Sequence, residues 1–108
     1  MAYEIPQKPM ISVIMANYNC EAFLASAIRS VLNQTNTALE LILVDDGSSD
    51  DTLNVMLDLA VMDWRIRVVS HPNSGVSATR NYGASLAKGK LIAFLDADDQ
   101  WQFDKLAR

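Results

Sequence analysis

Three carboxylates that follow an apolar run are the side chains of this sequence best suited to chemistry. Asp96, Asp98 and Asp99 come directly after Leu-Ile-Ala-Phe-Leu at positions 91–95. In extended backbone Asp96 and Asp98 project from one face of the chain, and two neighbouring anions repel unless a cation lies between them. Oxygen ligands suit a hard divalent ion such as Mg²⁺ or Mn²⁺. The pattern therefore predicts a metal site, and a polar turn that caps the next helix is the alternative interpretation.

Two further polar segments follow apolar runs in the same way. Asn17-Tyr18-Asn19 comes after the run at 11–16, and Asp45-Asp46 comes after the run at 39–44. These runs are short and rich in large or β-branched apolar residues, as is typical of strands buried on both faces. The same interpretation applies to the run at 91–95, and another short strand is predicted at 65–70.

Stretches in which apolar residues recur at helical spacing separate the predicted strands. We predict helices at 21–33, from about residue 50, at 76–87 and at 101–108. Phe23 and Leu57 are expected among the core-facing residues, and Gly83 among the small residues that let a helix approach the sheet. This alternation of strand and helix predicts an α/β fold with a Rossmann-like parallel sheet and helices on both faces.

The connections of such a sheet determine where the polar segments meet. Right-handed crossovers place the carboxyl ends of parallel strands at the same edge, where open α/β sheets bind their ligands. Tyr18, Asp46 and Asp96 would then lie along one edge. This convergence favours a site for a metal ion and a phosphate over simple helix capping.

Composition and charge exclude several other classes of protein. The 108 residues are half hydrophobic with a net charge of −4, so they suffice for one domain with a core but offer no basic surface for nucleic acid. The single cysteine, Cys20, excludes an internal disulfide, and no apolar run approaches the roughly 18 residues of a membrane span. We expect an extended lead-in at 1–10 and one domain at 11–108.

Several short motifs, in their order and spacing, resemble those of one enzyme family. They are ISVIMANYN at 11–19, SVLNQT at 30–35, ELILVDDGS at 40–48, NSG at 73–75, ATRN at 78–81 and LDADD at 95–99. From about Pro9 to Arg108 the chain is similar to the donor-binding half of inverting family-two glycosyltransferases of the GT-A fold. The resemblance implies a truncated GT-A domain that binds a nucleoside diphosphate sugar for glycosyl transfer.

The resemblance also implies roles for residues of the nucleotide pocket. Ala16 and Tyr18 correspond to residues that line the base pocket, and Asp46 to one that accepts a hydrogen bond from the N–H of uracil. A carboxylate suits that donor, so a UDP-sugar is the favoured donor substrate among nucleoside diphosphate sugars. Asn73 and Arg80 correspond to positions near the base, ribose or diphosphate. Ordinary loop packing for Tyr18 and a surface ion pair for Arg80 are the alternatives.

The segment Asp96-Ala97-Asp98 matches the D-x-D motif of the resembled family. There the acids engage a ribose hydroxyl and a divalent ion that bridges the two phosphates. The resemblance implies that Asp98 binds the Mn²⁺ or Mg²⁺ ion, that Asp96 contacts both ribose and metal, and that Asp99 shares either role. His71, the only histidine, matches no motif and is interpreted as a loop residue.

The resemblance places the general base and the acceptor pocket after the D-x-D segment. We therefore expect no catalytic base among these residues, and expect this chain to be part of a longer enzyme with a saccharide or lipid-linked acceptor. A cytoplasmic location is expected, at the inner face of a membrane in a longer enzyme. A catalytically inactive fragment that binds only nucleotide or a partner chain is the alternative. A sheet of four strands would leave an exposed edge, which favours self-association.

Other α/β proteins with clustered acids fit the sequence less well. A phosphoacceptor receiver domain has its paired acids after the first strand, and a haloacid-dehalogenase-like phosphatase has its D-x-D there. This chain has Asn17-Tyr18-Asn19 at that position. A nucleotidyltransferase usually carries a glycine-rich basic loop after the first strand, and none is present.

Overall fold

A computed structural model describes residues 11–33 and 39–96, with the backbone alone for Asp96. The elements in chain order are β1 (Ile11–Asn17), α1 (Glu21–Leu32), β2 (Leu39–Asp46), α2 (Thr52–Met62), β3 (Ile66–His71), α3 (Val76–Leu86) and β4 (Leu91–Asp96). The predicted lead-in at 1–10, the predicted helix at 101–108, and Asp98 and Asp99 lie outside the described residues.

The four strands form one parallel sheet in the order β3-β2-β1-β4. Met15 of β1 belongs to the larger core cluster, together with the buried residues of α1 and with Met56 of α2. Ile14 and Val44 point to the opposite face, where α3 packs on β1 and β2. The predicted Rossmann-like fold with helices on both faces is therefore confirmed.

The close approach of α3 to the sheet depends on Gly83. A methyl group at this position would lie 2.5 Å from Ile14 Cγ2 and 3.1 Å from Val44 Cγ2. Any larger residue would hold the helix away from the sheet or displace the side chains beneath it. The prediction that small residues bring this helix close to the sheet agrees with these contacts.

Two residues predicted to face the core are exposed instead. Phe23 is 58% exposed and Leu57 is 47% exposed. The buried residues of α1 begin at Leu24 and recur at helical spacing, and in α2 Met56 is fully buried. Phe23 and Leu57 are each one residue away from this buried face, which rotates them by about 100° on the helix surface.

The prediction that β4 is buried on both faces is also wrong. Leu91, Ile92 and Phe94 are exposed, Phe94 to 50%. In the described part of the chain β4 lies at the edge of the sheet, and α3 packs over β1 and β2. An apolar edge strand is a surface for pairing, so self-association through it stays a prediction.

The strands extend further than their apolar runs. β2 was expected to end at Val44 and β3 at Ser70, but the sheet pairing continues through Asp45 opposite Ser70 and Asp46 opposite His71. Asp45 accepts hydrogen bonds from Ser48 N at 3.2 Å and from Ser70 Oγ at 3.1 Å. Since hydrogen-bond donors surround these buried carboxylates, they can stay within the strand.

The turn between α2 and β3 contains an ion pair whose contribution to stability should depend on pH. The Asp63 carboxylate accepts hydrogen bonds from Arg65 Nε at 3.0 Å, Nη2 at 2.8 Å and the backbone N at 2.9 Å. The hydrogen bond from the Arg65 side chain lowers the pKa of Asp63. The stabilisation that the ionised Asp63 carboxylate provides is therefore fully present above the ordinary carboxyl pKa near 4. It is lost as pH falls through the lower pKa that Asp63 has in the folded chain.

We expect Asp63→Asn to lower the free energy of unfolding by about 0.5–1 kcal/mol near neutral pH. Urea denaturation from neutral pH down to about pH 3 should show the variant and the native chain converging as Asp63 becomes protonated. Asp58→Asn, on the exposed surface of α2, controls for the loss of one negative charge. A stability difference that stays constant with pH would contradict this account.

Candidate functional site

A cavity of about 290 Å³ opens at the carboxyl edge of the sheet, between the ends of β1 and β2 and the beginning of α3. Its lining residues are Ala16, Asn17, Tyr18, Asp46, Asn73, Gly75, Val76 and Thr79. Four residues predicted to bind the nucleotide sugar, Ala16, Tyr18, Asp46 and Asn73, are thus brought together. The parallel sheet places them here because it aligns the ends of its strands.

The first wall of the cavity is the loop after β1. The side-chain amide of Asn17 donates a hydrogen bond of 2.9 Å to the backbone oxygen of Met15 in the same strand. The side chain of the next residue, Tyr18, is exposed. Cys20 is buried beneath this loop, and burial raises the pKa of its thiol. A protonated, buried thiol is a poor nucleophile, so the exposed aromatic ring is the feature this loop offers to a ligand.

Asn19 holds this loop against the loop after β2. It has a φ of +48°, a conformation that asparagine tolerates better than most residues. Its Oδ1 accepts hydrogen bonds from Ser49 N at 2.8 Å and Asp50 N at 3.3 Å, and its own N–H donates to Ser48 Oγ at 3.0 Å. Tyr18 therefore lies in a loop that these hydrogen bonds hold against the loop after β2.

Asp46 forms the opposite wall. Its carboxylate is buried and accepts hydrogen bonds from two backbone N–H groups, Ser74 N to Oδ1 at 2.7 Å and Gly75 N to Oδ2 at 3.1 Å. Gly75 is the N-cap residue of α3, and a negative charge stabilises the N-terminus of a helix. Asp46 thus caps α3 from a neighbouring strand while it faces the cavity.

Asn73 links the same loop to β2. Its Nδ2 donates to the backbone oxygen of Asp46 at 3.0 Å and lies 3.4 Å from Asp46 Oδ2. The backbone of Asn73 passes so close to Gly47 that a Cβ at Gly47 would lie 2.6 Å from Asn73 N. The segment that supplies donors to Asp46 is therefore packed directly against the turn that follows it.

Two residues at this site were missed by the sequence analysis. His71 is the last residue of β3 rather than part of a loop, and its Nε2 lies 3.3 Å from Asp46 Oδ1 and 3.0 Å from Thr79 Oγ1. Thr79 is fully buried and lines the cavity. His71 pairs with Asp46 across the sheet, a register that no sequence motif indicates.

Arg80 is not among the described residues that line the cavity. The Arg80 guanidinium is 6.0 Å from the centroid of the Phe94 ring, which places it beside β4. Asp96 ends β4 and pairs with Ala16, so its backbone adjoins the strand that contributes to the cavity. Arg80 and Asp96 are thus on the β4 side of the same edge.

The predicted metal ligands fall at the limit of the described residues. Within 11–33 and 39–96, no group of three or more His, Cys, Asp or Glu side chains could hold a metal ion. Asp98 and Asp99 are outside those ranges. Carboxylate oxygens, which all three predicted ligands supply, are the donors that Mg²⁺ and Mn²⁺ prefer, so the donor chemistry fits such an ion.

None of the helices within residues 11–33 and 39–96 is both long and apolar enough to cross a membrane.

Known proteins resemble the chain in both sequence and structure. An uncharacterized glycosyltransferase of Haemophilus influenzae is 43% identical over 101 residues, which are 93% of this chain and 40% of that protein. The hyaluronan synthase of Pasteurella multocida is 38% identical over 100 residues, 93% of this chain and 10% of that protein. The chain therefore spans less than half the length of these relatives.

Solved structures share the fold. The S. aureus TarS 1-349 structure in complex with UDP-GlcNAc has a TM-score of 0.83 and 29% identity, over 91% of this chain and 29% of that one. The structure of GalNAc-T7 with UDP, GalNAc and Mn²⁺ has a TM-score of 0.64 and 29% identity, over 84% of this chain and 18% of that one. Residues 12–108 match the family described as Glycosyl transferase family 2. The chain belongs to that family.

Proposed function

We propose that this chain is the donor-binding domain, at 11–108, of an inverting glycosyltransferase that uses a UDP-sugar together with Mn²⁺ or Mg²⁺. The observation that carries the proposal is the cavity at the carboxyl edge, in which the exposed Tyr18 ring and the Asp46 carboxylate both take part. An aromatic platform and a hydrogen-bond acceptor are the two groups that a planar base with a ring N–H requires. Similarity to TarS, crystallised with UDP-GlcNAc, supports this interpretation.

The chemistry of Asp46 favours some bases over others. An ionised carboxylate only accepts hydrogen bonds, so it matches the ring N–H of uracil or guanine and repels the bare ring nitrogen that cytosine or adenine presents. The 3.4 Å contact from Asn73 Nδ2 to Asp46 Oδ2 is the longest on this carboxylate. Asn73 also donates to the Asp46 backbone oxygen, so a base can replace the long contact at little cost.

The diphosphate and the metal ion belong on the β4 side of the edge. Asp98, Asp96 and Asp99 would hold the ion, which when bound neutralises charge that develops on the leaving diphosphate. Arg80 would add positive charge near the phosphates. The Mn²⁺ present with UDP in GalNAc-T7 supports the choice of metal. Within this proposal the acceptor is a saccharide or a lipid-linked saccharide, the general base lies in a further segment, and the enzyme works in the cytoplasm.

Calorimetric titration of the chain with UDP and CDP, each with Mn²⁺ and with a chelator, tests the proposal. We expect UDP to bind at least about tenfold more tightly than CDP, which corresponds to the loss of one hydrogen bond to a charged group. Chelation should weaken UDP binding by a similar factor, and Asp98→Ala should remove the effect of Mn²⁺. Asp58→Ala, far along the exposed face of α2, is the control for charge.

Each arm of this titration has an outcome that contradicts one part of the proposal. Equal binding of UDP and CDP would show that Asp46 does not recognise the base. Equal binding of UDP with Mn²⁺ and with chelator would contradict the metal role of Asp98. Tighter binding of GDP than of UDP would contradict the choice of a UDP-sugar and indicate a GDP-sugar as the donor substrate.

A further inference from the structure

We propose that His71 is a positioning residue, whose Nε2–H holds one oxygen of the Asp46 carboxylate in place and leaves the other oxygen to recognise the base. The location of this proton follows from the contacts around His71 alone. Its consequence for nucleotide binding rests on the function proposed above. Neither the family motifs nor the cavity lining includes His71.

The contacts of His71 are made by one ring nitrogen and one ring face. Nε2 is 3.3 Å from Asp46 Oδ1 and 3.0 Å from Thr79 Oγ1. The ring stacks on Tyr82, with centroids 5.3 Å apart and planes inclined by 30°. The side chain is largely buried. Because β3 places the backbone and Tyr82 holds the ring, Nε2 is directed at Asp46 and Thr79 by the fold.

The hydroxyl of Thr79 determines which nitrogen of His71 carries the proton. Thr79 Oγ1 donates its only hydrogen to Gly75 O at 2.7 Å, so towards His71 it can only accept. The Asp46 carboxylate, which accepts two backbone N–H groups, also needs a donor. Nε2 therefore carries a hydrogen, which Thr79 Oγ1 accepts at 3.0 Å and which Asp46 Oδ1, at 3.3 Å, shares as the second acceptor in our proposal.

This donor makes the two oxygens of Asp46 unequal. Oδ1 accepts the short bond from Ser74 N at 2.7 Å and has His71 Nε2 beside it at 3.3 Å. Oδ2 accepts Gly75 N at 3.1 Å and the long contact from Asn73 at 3.4 Å. The 3.4 Å contact from Asn73 is the longest on this carboxylate, so a base N–H would be accepted by Oδ2, by exchange with Asn73. His71 keeps Oδ1 occupied and thereby fixes the rotation of the carboxylate.

The proton can be located in the unmodified protein because the sequence contains a single histidine. Long-range ¹H–¹⁵N correlation spectra of the ¹⁵N-labelled chain should show a hydrogen on Nε2. Asp46→Ala should change the Nε2 chemical shift. A ring without a hydrogen on Nε2, or an Nε2 shift that does not respond to Asp46→Ala in a folded variant, would overturn the inference.

Two substitutions separate the donor from the packing of the ring. His71→Phe keeps an aromatic ring against Tyr82 but removes the donor, and we expect its affinity for UDP to fall about tenfold. His71→Gln restores an N–H donor without the ring, and its affinity should stay within about threefold of the native chain. A structural role alone would predict the reverse order, with His71→Phe the milder change in both affinity and Tm.

The failure of this inference can be told apart from the failure of the proposed function. A native chain that binds no UDP would contradict the proposed function, while the spectra would still decide where the proton lies. A native chain that binds UDP, together with a folded His71→Phe variant of equal affinity, would contradict the role of His71 alone.

Discussion

Asp46→Asn is expected to abolish measurable UDP binding and to lower the free energy of unfolding by about 2–4 kcal/mol. The amide has the shape of the carboxylate, but one of its two ends is a donor. That end must face Ser74 N or Gly75 N, which both donate to the carboxylate in the native chain. The Asp46 side chain is buried, so a mismatched hydrogen bond there carries a desolvation penalty. Chemical denaturation and calorimetric titration with UDP measure the two effects.

The neighbouring carboxylate provides a matched control. Asp45 is also buried and also accepts hydrogen bonds, from Ser48 N and Ser70 Oγ, but it is not among the residues that line the cavity. We expect Asp45→Asn to destabilise the chain while its affinity for UDP stays within about threefold of native. Loss of UDP binding in both variants to the same extent would mean that unfolding, not recognition by Asp46, explains the loss.

Gly47→Ala is expected to lower the free energy of unfolding by about 3 kcal/mol and to abolish UDP binding as well. Gly47 has a φ of +67°, and its added methyl group would lie 2.6 Å from Asn73 N and 3.1 Å from Asn73 Cα. These are backbone atoms, which cannot move aside as a flexible side chain can. The loop that supplies donors to Asp46 would therefore have to shift.

Gly75→Ala separates this clash from backbone strain. Gly75 has a φ of +94°, but a methyl group there would meet no atom within 4 Å. Gly75→Ala should lower the free energy of unfolding by about 1–3 kcal/mol through backbone strain alone. Urea denaturation of both variants compares the two costs. If Gly47→Ala proves no more destabilising than Gly75→Ala, the close packing of Gly47 on Asn73 does not constrain the loop.

The sequence predicted the order of the elements and the edge at which the site lies. Apolar runs that end in polar residues are visible locally, since a strand buried in a parallel sheet needs apolar side chains on both faces. The parallel arrangement then brings Tyr18 and Asp46 together whatever the exact register. These two residues, with Ala16 and Asn73, line the observed cavity.

The side of a helix that is buried was predicted less well. Phe23 and Leu57 are apolar and adjoin the buried stripes of α1 and α2, yet each faces solvent. Helical spacing defines a stripe only to within about one residue, or 100°. The exposed β4 differs from the prediction for another reason. Burial of a strand depends on what lies beside it, and in the described sheet β4 is at the edge.

Only the tertiary structure decided how the site is held together. The sequence alone establishes an α/β chain with acidic strand ends, because hydrophobic pattern and strand direction are local properties. It does not establish that Asp46 caps α3, that Asn73 packs on Gly47 or that His71 Nε2 lies 3.3 Å from Asp46 Oδ1. Those contacts join residues 25 to 29 positions apart. They depend on the register between β2 and β3 and on the closeness of α3 to the sheet, which are set by packing across the whole domain.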